Sequence, residues 1–364
     1  MSPSLRFPEF TGEWERCVLG DVLEFSNTRI NSSELNSGNY VSTENILQNF
    51  QGIVKARSIP EDTNVMAFSC GNILLSNIRP YLKKVWKATF NGGCSSDVFV
   101  LQANSNIDAD YLHYVVANDK FIGFVMNGAK GVKMPRGDKN QMKTYSLSLP
   151  SIKEQRKISR FLSFLDERIA VQNRLIEKYE SLIKALRHHL FSTLESVKEV
   201  PVADLLSYEQ PTKYIVSDTE YSNNTDLTPV LTANKAFILG YTDEVEGIYD
   251  KGPCIILDDF TLDFKIVEFP FKVKSSAIKI LSAKTTVSLR YIFEYLKFLD
   301  LNTEEHKRHY IAEIEPMSIE LPEEDTIKSI AFLFDLMDKR RKGLERDQQL
   351  LKSQKDYLLR EIFI

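Results

Sequence analysis

Between residues 151 and 196 the chain contains no Gly or Pro, and apolar residues recur at alternating steps of four and three. Ile158, Leu162, Leu165, Ile169, Ile176, Ile183 and Leu186 mark this stripe, with Gln172, Tyr179 and Leu190 at the same spacing. A 3.5-residue period of this kind is the seam of a coiled-coil helix. The C-terminal stretch repeats it. When Leu149 and Pro150 are set on Leu321 and Pro322, Ile330, Phe334, Met337, Leu344, Leu351 and Leu358 fall on the seam without a gap, as do Arg341, Gln348, Lys355 and Ile362. Two copies of one long helix therefore divide the chain into a domain at 1–150, a helix at 151–196, a second domain at 197–322 and a second helix at 323–364.

That order predicts a geometry. The second domain takes the chain from the end of one helix to the start of the other, and compact domains usually have neighbouring termini. A parallel pairing would make it span about 45 residues of helix, roughly 65 Å. The expected fold is therefore α+β, with two mixed domains joined by two long antiparallel coiled-coil helices and an approximate internal twofold symmetry. Gln172 and Gln348 interrupt the seam and are expected to help fix helix register.

The domains show shorter patterns. Residues 13–25 read as a short strand leading into a helical turn, and the Asn- and Ser-rich segment 27–40 as a loop. Residues 40–47, 65–68, 72–76, 85–88 and 98–101 are short apolar or alternating runs with strand character, and Gly92-Gly93 reads as a turn. Helical spacing runs through 108–125, with Asp108 as N-cap. The second domain repeats the outline: VADLL at 202–206 answers LGDVL at 19–23, and Gly252 to Leu257 answers Gly71 to Ser76. Residues 275–281 answer 95–101, and Tyr291 to Tyr295 answers Tyr111 to Val115. The chain is one unit duplicated, with helices that kept their alignment and domains that drifted.

A content of 43% hydrophobic residues suffices for real cores in a chain of 364. No apolar run is long enough to cross a bilayer, the N-terminal residues lack the basic and apolar regions of a secretory signal, and Cys17, Cys70, Cys94 and Cys254 are scattered. A cytoplasmic location with reduced thiols and no membrane partner is expected. The net charge of −4 does not point to nucleic acid, but its distribution is uneven. Lys130, Lys133, Arg136, Lys139 and Lys143 face one acid, Asp138, within 129–143, whereas acids gather at 218–226, 243–250, 258–263 and 313–325.

Catalytic patterns are missing. No P-loop, dinucleotide fingerprint or nucleophile elbow occurs. His306 and His309 form an i, i+3 metal pair only if 303–310 is helical, and no carboxylate spacing supports them. Asp258 and Asp259, with Asp263 nearby, are the best carboxylate cluster, readable as a Mg²⁺ nuclease site or as an acidic loop at a strand end. No catalytic and no metal-binding residue is expected. A symmetric holder of two unlike domains suits bipartite DNA, whose half-sites about one helical turn apart, roughly 34 Å, face one side of the duplex. A two-headed coiled-coil scaffold for partner proteins is the alternative.

The opening Arg6-Phe-Pro-Glu-Phe-Thr-Gly-Glu-Trp14, followed by LGDVL, resembles the specificity subunits of type I restriction-modification enzymes. So do Leu149-Pro150 with Glu154-Gln155-Arg-Lys-Ile158 and Leu162 to Asp166, and the run Pro229 to Tyr241. The resemblance covers essentially the whole chain in the order recognition domain, spacer helix, recognition domain, spacer helix. It implies that residues 1–150 and 197–322 are target recognition domains, each reading one half of a split, asymmetric target in double-stranded DNA. It also implies a subunit without a catalytic centre. Two methyltransferase subunits would bring S-adenosylmethionine, and restriction motor subunits would bring ATP and Mg²⁺. One departure is that Thr326 and Ile327 stand where the first helix has Glu154 and Gln155. Under this reading Arg79, Lys83, Lys84, Lys130, Lys133, Arg136 and Lys139 are expected to contact phosphates. Arg29, Thr43 and Asn45 in the first domain, and Thr232, Asn234, Lys235 and Lys265 in the second, have the donor and acceptor types that read base edges.

Overall fold

The structure is a computed structural model that describes Pro3 and residues 5–232, 237–301 and 309–363. These fall into two compact units, Met1–Gln172 with Asp347–Ile364, and Asn173–Arg346, so the division lies within both long helices. The helices run Ile152–Ser192 and Glu324–Ile362. All twenty seam positions are buried or half-buried. Among the described residues no helix is long and apolar enough to cross a membrane.

In the first unit one antiparallel sheet has the order Leu23–Phe25, Val98–Ala103, Ile73–Ser76, Val85–Lys87. A second has the order Arg29–Asn31, Asn64–Phe68, Gly92–Cys94, Tyr40–Val41, the last pair parallel. Glu15–Val18 pairs with Ser146–Leu149 and brings the chain to the start of the first long helix. Ile158, Leu162 and Leu165 from that helix and Leu359, Ile362 and Phe363 from the second join one core with Tyr111, Leu112 and Val115. The last carbonyls of the second helix, otherwise unsatisfied, accept hydrogen bonds from this domain: Lys120 Nζ donates to Arg360 O at 3.2 Å and to Phe363 O at 2.7 Å.

The second unit repeats the plan. Leu206–Glu209, Ile278–Ala283, Cys254–Asp258 and Phe264–Val267 form the matching antiparallel sheet, and Lys198–Pro201 pairs with Ser318–Leu321. Its other sheet has three strands, Ile238–Thr242, Thr228–Leu231 and Lys272–Val273, where the first unit has four. The core joins Phe191 from the first long helix with Ile330, Phe334 and Met337 from the second, around Tyr291 and Tyr295. Tyr111 and Tyr291, placed at equivalent positions by the repeat, are both fully buried.

Four local expectations need correction. The segment 27–40, expected as a loop, contains the strand Arg29–Asn31, paired antiparallel with Asn64–Phe68. The strand expected at 40–47 ends after two residues, because the Asn45 side chain accepts from Ser42 N at 2.9 Å and Ser42 Oγ at 2.7 Å and closes a turn. Gly92 and Gly93 form a buried strand; a side chain on Gly92 would run into the Asn39 carbonyl, and one on Gly93 into Leu35 and Val65. The helix expected through 108–125 is two helices, Ala109–Val116 and Asp119–Asn127, since Asn118 leaves helical geometry and caps the second by accepting from Lys120 N at 2.9 Å.

Candidate nucleic-acid interface

In the first unit, strand Ile73–Ser76 is buried at all four positions and ends in a sharp reversal. Arg79 (φ 51°) and Lys83 (φ 54°) are both left-handed and bracket the tight turn Pro80–Leu82. Backbone bonds tie this loop to two others. Arg79 N donates to Pro135 O at 2.8 Å and Gly137 N to Asn77 O at 3.1 Å. Asn49 N donates to Leu82 O at 3.1 Å and Phe50 N to Lys83 O at 2.9 Å. Lys130 and Arg136 exchange both backbone hydrogen bonds at 2.9 Å, which makes 130–136 a closed hairpin. The structure thus brings the loops at 43–54, 79–84 and 130–137 together.

The cations on these loops differ in availability. Lys83 pairs with Asp119 at 2.7 Å, Lys130 with Asp138 at 2.8 Å and Arg136 with Asp97 at 2.7 Å. The hydrogen bond between Lys130 and Asp138 raises the lysine pKa and lowers that of the acid. Lys84 donates to Thr43 O, and burial lowers its pKa. The Lys139 ammonium lies over the rings of Phe25 and Phe99, 5.5 and 5.1 Å from their centroids. Arg79 is half-buried, and its Nε has no hydrogen-bond partner among the described residues. Lys133 projects from the hairpin tip with no ion pair to any described residue.

Of the proposed base readers, Arg29 is exposed on strand Arg29–Asn31, Thr43 is half-buried, and Asn45 is 5% exposed with its carbonyl oxygen engaged in the Ser42 turn. Thr232 in the second unit is buried, and its backbone N donates to Phe237 O at 2.9 Å. Lys265 pairs with Asp263 at 3.4 Å and lies 4.8 Å from the Phe237 ring centroid. Asn234 and Lys235 lie outside the described residues. Sequence reasoning missed Lys55, Arg57 and Tyr81, all exposed on or beside the loop cluster. Two cations flanking an Ala in a loop carry no periodic signal that would have singled them out.

The acidic cluster of the second unit serves the fold. Asp259 is 1% exposed, accepts from His309 N at 3.1 Å and Tyr310 N at 2.9 Å, and faces buried Lys279 at 3.4 Å. Asp258 accepts from Phe260 N at 3.0 Å, and Asp263 pairs with Lys297 at 2.8 Å. No group of three or more His, Cys, Asp or Glu side chains among the described residues could hold a metal ion. His306 lies outside the described residues, and the His309 ring faces Glu313 at 2.8 Å.

The Glu154-Gln155 pair is buried and internal. Arg6 grips Glu154 through two hydrogen bonds, Nε to Oε1 at 2.7 Å and Nη2 to Oε2 at 2.8 Å, and Trp14 Nε1 donates to Oε1 at 3.3 Å. Gln155 accepts from Asp108 N at 2.8 Å and donates to Pro150 O at 2.9 Å. The pair fastens the opening arm and the helix at Ala109–Val116 to the start of the first long helix. The second unit is entered directly from a helix and has no such arm to hold. Thr326 is accordingly exposed, and Ile327 joins the core.

A family model described as "Type I restriction modification DNA specificity domain" matches residues 11–181. Residues 11–181 are thus similar to a type I restriction-modification DNA specificity domain. It is 43% identical over 132 residues, 35% of its length, to the type I restriction enzyme EcoR124I/EcoR124II specificity subunit of Escherichia coli. It is 33% identical over 93 residues, 26% of its length, to the EcoDI specificity subunit of the same organism. The matches span about a third (32%) and a fifth (20%) of those two relatives. The fold is shared along the whole chain with the type I restriction-modification system S subunit from M. genitalium, with a TM-score of 0.65, 15% identity and coverage of 100% of this chain and 99% of that one. It is also shared with a chain from a structural study of complex assembly and conformational transition of the type I R-M system, with a TM-score of 0.56, 16% identity and 99% coverage of both chains. The matched residues 11–181 include all three clustered loops of the first unit.

Proposed function

We propose that this chain is the DNA-reading, non-catalytic subunit of a type I restriction-modification complex, each domain reading one half of a split target. The observation that carries this reading is the specificity-domain match over residues 11–181, followed by a second unit in which one four-stranded sheet repeats the strand order of the first. In this proposal domains 1–150 and 197–322 are the recognition domains, and helices 151–196 and 323–364 pair antiparallel as a spacer with approximate twofold symmetry. The exposed cations of the loop cluster set position on phosphates, and Arg29, Thr43 and Lys265 with their neighbours face the bases.

The outer helix faces support partner docking. Phe161, Phe164, Val171, Leu175 and Leu182 are all more than a third exposed and follow heptad spacing, as do Phe332, Leu336, Leu350 and Tyr357 on the second helix. Exposed apolar stripes in register with a second seam are surfaces for further helices. We assign them to two methyltransferase subunits, which would carry S-adenosylmethionine; restriction subunits would supply ATP and Mg²⁺ chemistry.

The spacer role has a direct test. Inserting seven residues into both helices at the unit boundaries, after Gln172 and after Arg346, preserves every seam position and adds about 10 Å, or about three base pairs. Adenine methylation by the assembled complex should keep both half-sites and widen the gap between them. An unchanged gap would refute the spacer assignment.

A further inference from the structure

The 130–136 hairpin carries a feature that phosphate binding does not use. Val132 at its tip is fully exposed (103%), and Met134 is 46% exposed. The hairpin is closed and braced at its base. Its ends exchange two backbone hydrogen bonds, Pro135 is buried, and Lys130–Asp138 and Arg136–Asp97 brace its base. Gly131 turns the tip at φ +95°, where a Cβ would stand 3.3 Å from Met134 O. The chain thus holds two apolar side chains out in water at i and i+2, with Lys133 between them and Lys130 and Arg136 behind.

Charge context separates this tip from the other strongly exposed valine. Val245 in the second unit is 85% exposed, but Asp243, Glu244 and Glu246 surround it, and that loop would be repelled by a phosphate backbone. Cations frame Val132. A narrow hairpin with an apolar tip fits the major groove, where the only apolar group on a base edge is the thymine C5-methyl.

Resting on the proposed DNA-reading function, we infer that Val132 and Met134 recognise thymine methyl groups in the half-site read by the first unit, while Lys133 holds a flanking phosphate. The contact is made on both sides by groups that repel nothing and bind no water, so it discriminates thymine from cytosine and from uracil alike.

The test begins with the target mapped by adenine methylation, followed by competition binding of the complex to duplexes in which each thymine of that half-site is replaced singly by deoxyuridine. Wild type should lose about two- to fourfold in affinity at one or two of these positions. The double variant Val132→Ala, Met134→Ala, with an unchanged melting temperature, should bind thymine and deoxyuridine duplexes equally. Lys133→Ala should weaken all duplexes alike, flatten the salt dependence and keep the deoxyuridine penalty. A half-site without thymine, indifference of wild type to every replacement, or a penalty that persists in the double variant overturns the inference and leaves the DNA-reading function standing. Absence of any methylated motif overturns both.

Discussion

Phe334→Ala should destabilise the second unit by about 3–5 kcal/mol. Phe334 occupies a seam position in the second long helix and is 1% exposed. Its ring lies nearly parallel to Phe191 from the first helix, 2° between planes with centroids 6.3 Å apart, and the Arg187 guanidinium sits 5.8 Å from its centroid. Truncation leaves a cavity where two helices and the Tyr291–Tyr295 layer meet, and closing it would require helix movement on both sides. Phe332, two residues away on the same helix, is 65% exposed, and Phe332→Ala should change stability by less than about 0.5 kcal/mol. Urea unfolding of the two variants separates them; equal losses would mean that the seam does not carry the helix packing.

Asp259→Ala should cost about 3–5 kcal/mol as well, for an electrostatic reason. The carboxylate satisfies the backbone N–H groups of His309 and Tyr310 and faces Lys279, whose side chain is only 3% exposed. Without it, two donors and an ammonium group remain buried with less to bind. Asp259→Asn keeps an acceptor for the N–H groups but not the charge facing Lys279, and should fall between wild type and Ala. Because the carboxylates at 258, 259 and 263 are already engaged, Mg²⁺ should leave the melting temperature of the wild-type chain unchanged. A magnesium-dependent rise abolished by Asp259→Ala would restore the nuclease reading of this cluster.

The long helices were the most legible part of the sequence, since a 3.5-residue period is written in one dimension and the twenty positions it selects are all buried or half-buried. The duplication was legible for the same reason, through apolar landmarks such as Tyr111 and Tyr291 that fill equivalent core positions. What pattern alone did not reveal depends on where a side chain turns. Asn45 spends its carbonyl on the adjacent turn, and Lys139 lies across two phenylalanine rings, although both types belong on a list of DNA contacts. The Glu154-Gln155 pair was recognisable as a motif, but its partners are 148 residues earlier in the chain at Arg6 and 47 earlier at Asp108. Glycine misled at Gly92-Gly93 because a close backbone approach and a turn both require the missing Cβ.

In the proposed function, two domains of one chain read the two halves of a split DNA target. Single-molecule sequencing of host DNA, after co-expression of the chain with the proposed methyltransferase partner, is the decisive measurement. The expected result is a motif of two defined blocks separated by a fixed unread gap, with one methylated adenine on each strand. A complex that co-purifies yet leaves no new methylation, or a continuous motif without a gap, would contradict it.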